Sequence, residues 1–274
     1  MKGANRMQLP LKRLAKGVLN KLGRRIVNES YVQQLEENVV FATAMKMLLE
    51  GRYVHIERLG LHDGSLMRAL RNSRSQLGQD IFVLFELGFA TGGYFVEFGA
   101  TNGIALSNTY LLEKEFGWRG IVAEPAHRWH KDLKNNRSCH IETGCVWRDS
   151  HSILTFNETD QGEFSTIDSF SASDFHDRTR RRGRKYSVNT ISLEDLLDKY
   201  GAPERIDYLS IDTEGTEYEI LSAFNFNKYQ FKTITCEHNS SPQRELIYLL
   251  LTERGYRRKL EGISDFDDWY VSTR

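Results

Sequence analysis

The stretch of sequence that decides the fold reads Tyr94-Phe95-Val96-Glu97-Phe98-Gly99-Ala100-Thr101-Asn102-Gly103. The mostly apolar residues 94–98 predict a buried strand, and the two glycines predict a tight turn directly after it. A helix is expected to open near Ser107, so that its free N–H groups meet a polar ligand lying against the turn. The alternative is that the turn only joins a strand to a helix.

A second strand, Gly120–Ala123, ends at Glu124, which lies 21 residues beyond Gly103. At a similar distance, nucleotide-binding βαβ folds place the acidic residue that binds a ribose. The dinucleotide fingerprint G-x-G-x-x-G is absent, because Gly99 and Gly103 are spaced differently. The pattern therefore favours a nucleoside without a pyrophosphate, and S-adenosylmethionine has that shape.

Short apolar strands alternate with helical stretches from Ser75 onward, which predicts βαβ units and a mostly parallel sheet with helices on both faces. Helices are expected near Ser107, Ala126, Ser192 and Glu217 and over Gln243–Arg254. The C-terminal segments predict an antiparallel pair at the sheet edge. The predicted strands are Tyr94–Phe98, Gly120–Ala123, Cys139–Thr143, Ile206–Ile211, Thr233–Cys236, Tyr256–Leu260 and Trp269–Ser272.

Composition excludes several classes of protein. The chain has 274 residues, of which 40% are hydrophobic, and 37 basic residues balance 37 acidic ones, so it is neither disordered throughout nor a general polyanion binder. Its 3 cysteines form no C-x-x-C pair, which disfavours a disulfide framework and a cysteine zinc site. No apolar run approaches the roughly 20 residues needed to cross a bilayer. A cytoplasmic location is expected.

The N-terminal segment differs from the rest of the chain in its charge and is predicted to form a separate helical extension. Residues 1–28 carry 8 basic groups and no acidic one, and their apolar residues recur at helical spacing. Such a helix lies on an anionic membrane surface or docks on its own domain or on another subunit, as in a homo-oligomer. A second helix is expected from Glu29 to Glu50. We therefore divide the chain into a helical extension with connector, residues 1–74, and a catalytic domain, residues 75–274.

Four short motifs follow one another along the chain: Ser75-Gln76-Leu77-Gly78-Gln79-Asp80, Glu97 to Gly103, Glu124-Pro125 and Asp212-Thr213-Glu214-Gly215-Thr216-Glu217. Together they resemble the FkbM-type S-adenosylmethionine-dependent methyltransferases, over roughly Ser75 to Asn239. The resemblance implies a Rossmann-like class I methyltransferase fold with a seven-stranded sheet, and O-methylation of sugars or natural-product hydroxyls. One departure is Thr101, which replaces the middle glycine of the first glycine motif.

The candidate cofactor residues follow from these motifs. Gln76 and Gln79 are expected to donate to the methionine carboxylate, although Ser75 and Asp80 also suit a helix start. Glu97 is expected to hold an ammonium or hydroxyl group, and Cys145 to wall the adenine. The full predicted set is Ser75, Gln76, Gln79, Asp80, Glu97, Gly99, Ala100, Asn102, Gly103, Ser107, Asn108, Glu124, Pro125, Cys145, Asp212 and Glu214.

Acidic residues also follow two predicted strands that would be neighbours. Asp212 ends one strand, and Glu237 and Asn239 follow the next, so the three offer oxygen ligands that suit Mg²⁺. The resemblance reaches this hypothesis too, because cation-dependent O-methyltransferases place acids and an amide at these strand ends. In the alternative interpretation, Asp212 and Glu214 bind the cofactor or cap the next helix.

Methyl transfer to a hydroxyl also requires a group that removes the hydroxyl proton. His238 is the preferred base, because its ordinary pKa of about 6.5 lies near working pH. Asp212 is the second candidate. In the competing interpretation His238 is only a structural hydrogen-bonding group.

The connection from Gly162 to Lys185 is long for a compact domain and is expected to contact the acceptor. Residues 178–185 include 6 basic side chains, which either bind an anionic group of a glycan or small-molecule acceptor or form a solvated surface. Nucleic acid is not expected, because aromatic residues do not interleave this run.

The sequence thus favours a methyltransferase over two other functions. One is a nucleotide-sugar oxidoreductase with a degenerate dinucleotide site, which the missing fingerprint disfavours. The other is a catalytically inactive scaffold that binds a membrane or a partner through residues 1–28.

Overall fold

A computed structural model describes residues 69, 72–172, 177–262 and 264–274. The predicted basic helix at 1–28 and the predicted helix at 29–50 lie outside the described residues and stay predictions. Almost all the described residues belong to one compact unit, Arg71–Arg274. Among the described helices, none is both long and apolar enough to cross a membrane.

The elements of the first half are, in chain order, α1 (Gln79–Glu86), β1 (Tyr94–Phe98), α2 (Tyr110–Phe116), β2 (Arg119–Ala123), α3 (His130–Asn136), β3 (His140–Glu142), β4 (Cys145–Trp147), β5 (Ile153–Glu158) and β6 (Thr166–Ile167). Those of the second half are α4 (Asp177–Arg180), β7 (Arg184–Ser192), α5 (Leu193–Lys199), β8 (Arg205–Ile211), α6 (Glu217–Ala223), β9 (Gln230–Glu237), α7 (Gln243–Glu253), β10 (Tyr256–Lys259) and β11 (Asp267–Ser272). Short 3₁₀ turns cover His127–Trp129, Gly162–Phe164 and Asp168–Phe170.

The main sheet has seven strands in the order β10-β11-β9-β8-β1-β2-β3. The neighbouring strands β9, β8, β1, β2 and β3 pair in parallel, and β11 is antiparallel to both β9 and β10. This confirms the predicted α/β class with a mostly parallel sheet. The chain order reverses between β1 and β8, and ligands of such sheets bind at the carboxyl ends of the strands beside this reversal.

Both faces of the main sheet are buried, which explains the continuous apolar character of its central strands. On β1, Tyr94, Val96 and Phe98 pack into a core with helices α5, α6 and α7. Phe95 faces the other side, where the Arg137 guanidinium lies 5.3 Å from its ring centroid. The central strands are therefore held by packing from two layers.

One predicted helix begins where the sequence places it, and another begins later. Ser192 caps α5 by accepting a hydrogen bond from the backbone N–H of Asp195, as the sequence predicts. The helix expected near Ser107 begins only at Tyr110. Ser107 instead uses its hydroxyl oxygen to accept from the backbone N–H of Tyr110, so the residues before α2 form a capped turn.

A second sheet, of order β4-β7-β5-β6, was not predicted from the sequence. Its strands are hard to recognise in the sequence, because β5 and β7 mix exposed and buried positions and carry many polar side chains. Part of the predicted Gly162–Lys185 connection is therefore regular secondary structure rather than loop. It contains β6 and α4, and its last residues already belong to β7.

A buried ion pair network ties the turn after β1 to α2 and α3. The Arg137 side chain is fully buried, with Nη1 3.3 Å from Glu97 Oε2 and Nε 2.6 Å from Glu113 Oε2. Burial alone would raise the pKa of Glu113, but the Arg137 charge and the hydrogen bonds from Lys114, Arg137 and the Ser138 N–H together outweigh it and lower this pKa to about 2. Without the guanidinium, the buried Glu97 would lose its ion-pair partner, and Glu113 would keep only Lys114.

We predict that Arg137→Ala lowers the free energy of unfolding by about 3–5 kcal/mol, because breaking a buried ion pair leaves uncompensated charge. Urea denaturation measures the change. Arg148→Ala is the control, since Arg148 is 57% exposed in its ion pair with Asp149 and should change stability by less than about 0.5 kcal/mol. Equal losses in the two variants would contradict the prediction.

Candidate active site

A cavity of about 360 Å³ lies at the strand-order reversal. The ends of β1, β2, β8 and β9 line it from the main sheet, and residues of the second sheet and of the segment around Gly162 line it from the other side. Its volume falls in the range of about 300–1,000 Å³ typical of small-molecule pockets. Gly99, Glu124 and Asp212, which the sequence predicts at one edge of the sheet, all line this cavity.

The turn at Gly99 lies directly against the end of β8. Gly99 has a φ of +79°, and a Cβ at this position would lie 2.0 Å from the backbone oxygen of Asp212. Its N–H donates to the carbonyl oxygen of Ala123 at 3.1 Å. Only glycine combines this φ with so close a backbone approach, so the turn keeps the cavity open at its floor.

Glu124 lies at the cavity wall, where its carboxylate fixes the turn. Oε2 accepts from the backbone N–H of Thr101 and Oε1 from that of Ala126, each at 2.8 Å. Burial raises the pKa of Glu124 to about 7. Each carboxylate oxygen has a second lone pair with which a ribose hydroxyl can bond.

Thr101 explains why the missing middle glycine is tolerated. It has a φ of +45°, and its hydroxyl donates to the carbonyl oxygen of Ala105 at 3.0 Å. The hydroxyl is thus held by the turn itself, while the Thr101 N–H remains bonded to Glu124. The threonine therefore stiffens the turn.

Other predicted cofactor residues build the turn without lining the cavity. Glu97 accepts from the Asn108 N–H at 2.6 Å and from the Thr109 hydroxyl at 2.6 Å, and it also accepts from the Ser107 hydroxyl. Glu97 and Phe98 face opposite sides of the sheet, and Phe98 is the one that lines the cavity. The Glu97 carboxylate, which was expected to hold a ligand ammonium, therefore bonds to the protein itself. Ala100, Asn102, Gly103, Ser107 and Asn108 also lie outside the lining residues.

The segment before α1 reaches the cavity through Gln76, which lines it. Its predicted companions bond within the protein. Ser75 donates to Asp80 Oδ1 at 2.7 Å, and Gln79 Nε2 donates to Asp267 Oδ2 at 2.9 Å. Burial raises the pKa of Asp80 to about 6. These three side chains therefore fix the segment that carries Gln76. Pro125 and Cys145 line the cavity, and their contact with the cofactor stays a prediction.

Three carboxylates gather where β8 and β9 end. One oxygen each of Asp212, Glu214 and Glu237 lies within 4.8 Å of the others, and all three residues line the cavity. Burial raises the pKa of Asp212, and burial together with the neighbouring Asp212 charge raises that of Glu237. Glu237 Oε2 has no hydrogen-bond partner.

The predicted metal ligands do not fit a divalent ion well in this arrangement. Glu214 Oε2 already accepts from Arg180 Nη2 at 2.7 Å and from Asn239 Nδ2 at 3.2 Å. Arg180 thus places a positive charge where the cluster would attract a cation. Of the predicted ligands, Asp212 and Glu237 keep carboxylates at the cavity, while the Asn239 amide already donates to Glu214.

His238 lies outside the lining residues, contrary to its assignment as the base. Its Nδ1 accepts from the backbone N–H of Ser240 at 2.9 Å, and its Nε2 lies 3.8 Å from Asp268 Oδ1. Glu237, the last residue of β9, lines the cavity, whereas His238 follows the strand and bonds within the turn after it. Burial lowers the pKa of His238. Asp212 is the candidate base that the geometry places in the cavity.

Sequence reasoning missed the aromatic part of the cavity. Phe156 of β5, Phe164 of the second 3₁₀ turn and Phe266 before β11 line it, together with Glu163. The long connection was the only signal for this wall. Its basic run is not a uniform solvated surface, because Arg180 is buried and Arg181 pairs with Asp177 at 2.7 Å.

Comparison with known proteins identifies the family. A model of the methyltransferase FkbM domain matches residues 97–258, more than half of the chain. The chain therefore belongs to the FkbM methyltransferases, and the protein is an S-adenosylmethionine-dependent methyltransferase. The oxidoreductase alternative does not hold. No curated protein matches the chain significantly.

Two solved structures are similar to this chain. The first is the methyltransferase FkbM from Methylobacillus flagellatus KT, with 14% identity and a TM-score of 0.44 over 96% of this chain and 58% of that one. The second is the precorrin-6y C5,15-methyltransferase from Geobacter metallireducens GS-15, with 11% identity and a TM-score of 0.37 over 70% of this chain and 85% of that one. The family assignment rests on the domain match rather than on these likenesses.

We predict that Gly99→Ala abolishes measurable binding of S-adenosylhomocysteine, because the added Cβ would displace the turn from Asp212. Calorimetry measures the binding. Gly117→Ala is the matched control, since Gly117 also has a positive φ, +64°, but nothing lies within 4 Å of its added Cβ. Gly117→Ala should lose about 1–2 kcal/mol of stability from the left-handed backbone, and Gly99→Ala should lose more, because its Cβ also meets the Asp212 backbone. Normal binding by Gly99→Ala would refute the proposed role of this turn.

Proposed function

We propose that this methyltransferase transfers the methyl group of S-adenosylmethionine to a hydroxyl of a carbohydrate or natural-product acceptor. The observation that carries the proposal is the meeting of the Gly99 turn, Glu124 and Asp212 in one cavity. The first two suit the cofactor, and the third is a carboxylate able to receive a hydroxyl proton. S-adenosylmethionine supplies an electrophilic methyl group when it is bound.

Cofactor binding is assigned to the β1 and β2 side of the cavity. The glycine turn gives close backbone approach, and Glu124 accepts hydrogen bonds from the ribose hydroxyls. Cys145 and Val146 line the cavity beyond Glu124 and provide an apolar wall for the adenine. Gln76 lies at another part of the lining, where its amide can donate to the methionine carboxylate.

Proton removal is assigned to Asp212. Methyl transfer is an in-line displacement, so the acceptor oxygen must face the methyl group while its proton leaves. Asp212 faces the cavity beside Gly99, and the raised pKa of its carboxyl favours uptake of a proton. Its neighbour Glu237 shares the site and provides a second oxygen for the acceptor hydroxyl.

Acceptor binding is assigned to the wall formed by Phe156, Phe164 and Phe266. Aromatic faces pack against the apolar faces of sugar rings and polyketide-like chains, while Glu163 and Asn239 offer polar contacts to their hydroxyls. Asp212 lies on the same cavity surface. A hydroxyl held against this wall would therefore face both the base and the methyl donor.

The test combines binding and turnover. Calorimetry with S-adenosylhomocysteine measures cofactor binding, and labelled S-adenosylmethionine reports transfer to a panel of sugar nucleotides, glycosides and polyketide alcohols. The proposal expects micromolar binding and label in at least one hydroxyl acceptor. Binding without transfer to any panel member would favour the inactive scaffold, and label found on nitrogen or carbon would overturn O-methylation.

We predict that Glu124→Ala weakens S-adenosylhomocysteine binding by about 1–3 kcal/mol, through loss of the ribose hydrogen bonds. Calorimetry gives the dissociation constant. Glu142→Ala is the control, because Glu142 ends the adjacent strand β3 but pairs with Lys199 outside the cavity lining. Unchanged affinity in Glu124→Ala would remove Glu124 from the cofactor site.

We predict that Asp212→Asn lowers kcat by about 10²–10⁴-fold, because the amide cannot take the acceptor proton. The dissociation constant of S-adenosylhomocysteine should change far less. Steady-state kinetics on a panel acceptor and calorimetry separate the two effects, with Glu219→Gln on α6 as a control, because Glu219 pairs with Arg148 and lies outside the cavity lining. If affinity and kcat fell equally, Asp212 would be a cofactor contact rather than the base.

A further inference from the structure

Arg180 is the feature of the molecule that the proposed mechanism does not use. Its side chain is fully buried, although it comes from a run of basic residues. Nη2 lies 2.7 Å from Glu214 Oε2, and Nε donates to the carbonyl oxygen of Phe164 at 2.8 Å. The guanidinium therefore lies inside the protein between the carboxylate cluster and the aromatic wall.

The cluster is organised around this internal charge. Asn239 Nδ2 donates to the same Glu214 oxygen at 3.2 Å, and the Thr166 hydroxyl donates to the Glu214 backbone oxygen at 3.0 Å. Glu214 is thus fixed as the partner of a cation. A divalent ion held by the cluster would lie close to the guanidinium, and the two like charges would repel each other.

Arg180 also joins the aromatic wall to the second sheet. Its backbone oxygen accepts from Asn157 Nδ2 at 2.9 Å, and Asn157 belongs to β5. Phe164, whose carbonyl oxygen accepts from Arg180, lines the cavity. The same residue therefore contacts the carboxylate cluster, the acceptor wall and the sheet that supports this wall.

We propose that Arg180 is a built-in cation that takes the place of a divalent metal at the Asp212, Glu214 and Glu237 cluster, so that methyl transfer is independent of metal. It is also a positioning residue, because it holds the Phe164 wall at a fixed distance from Asp212. The statement about transfer rests on the proposed function. The statement about the cluster rests only on its charges and contacts.

The first experiment uses the wild-type chain. Electron paramagnetic resonance measures free Mn²⁺ during titration of the protein, and a chelator is added to the methyl-transfer assay. We expect no stoichiometric Mn²⁺ site and unchanged kcat after chelation. One Mn²⁺ per chain that Asp212→Asn removes, or activity lost to the chelator and restored by Mg²⁺, would overturn the proposal.

The second experiment removes the charge. Arg180→Gln should bind Mn²⁺ at least tenfold more tightly than wild type, because the cluster loses its counter-charge, and its acceptor KM should rise. Arg180→Lys should restore the weak Mn²⁺ binding. Arg181→Gln is the matched control, because Arg181 is 71% exposed. Equal Mn²⁺ affinity in Arg180→Gln and Arg181→Gln would contradict the proposal.

These outcomes are distinguishable from failure of the proposed function. Mn²⁺ titration needs neither cofactor nor acceptor, so it reports on the cluster even if no hydroxyl is methylated. Circular dichroism and urea denaturation show whether Arg180→Gln folds. If it does not, Arg180→Lys and the wild-type titration still decide between a metal and the guanidinium.

Discussion

The close approach of the Gly99 backbone to the carbonyl oxygen of Asp212 is the constraint on which the site depends. A Cβ at Gly99 would lie 2.0 Å from that oxygen, so the two strand ends meet only because a glycine stands there. The parallel pairing of β1 and β8 brings these ends side by side. This contact sets the position of the Gly99 turn and its distance from the acidic residues after β8.

Two supports hold this arrangement from outside. Beneath the turn, Arg137 bonds to Glu97 and Glu113 and fixes the chain between β1 and α2. Beside Glu124, the second sheet reaches the loop after β2, because the Tyr186 hydroxyl accepts from the His127 N–H at 3.0 Å and donates to Glu158 at 2.8 Å. The two sides of the cavity are therefore parts of one supported structure.

The sequence predicts the main sheet well, because its central strands are continuous apolar runs that end in glycine or acidic residues. It also brings Gly99, Glu124 and Asp212 together, since the carboxyl ends of parallel strands share one edge. It misplaces Glu97 and His238. Whether a side chain in a strand or directly after it faces the cavity depends on the strand register, which the sequence does not show. The second sheet and the burial of Arg180 stay hidden, because partly exposed strands and a buried arginine look like surface in sequence.

The most direct test of the central claim is a crystal structure of the protein with S-adenosylhomocysteine. The account predicts adenosine between the Gly99 turn and Glu124, a ribose hydroxyl within about 3 Å of a Glu124 carboxylate oxygen, and the sulfur directed toward Asp212. Cofactor bound elsewhere, or with its sulfur turned away from Asp212, would contradict it.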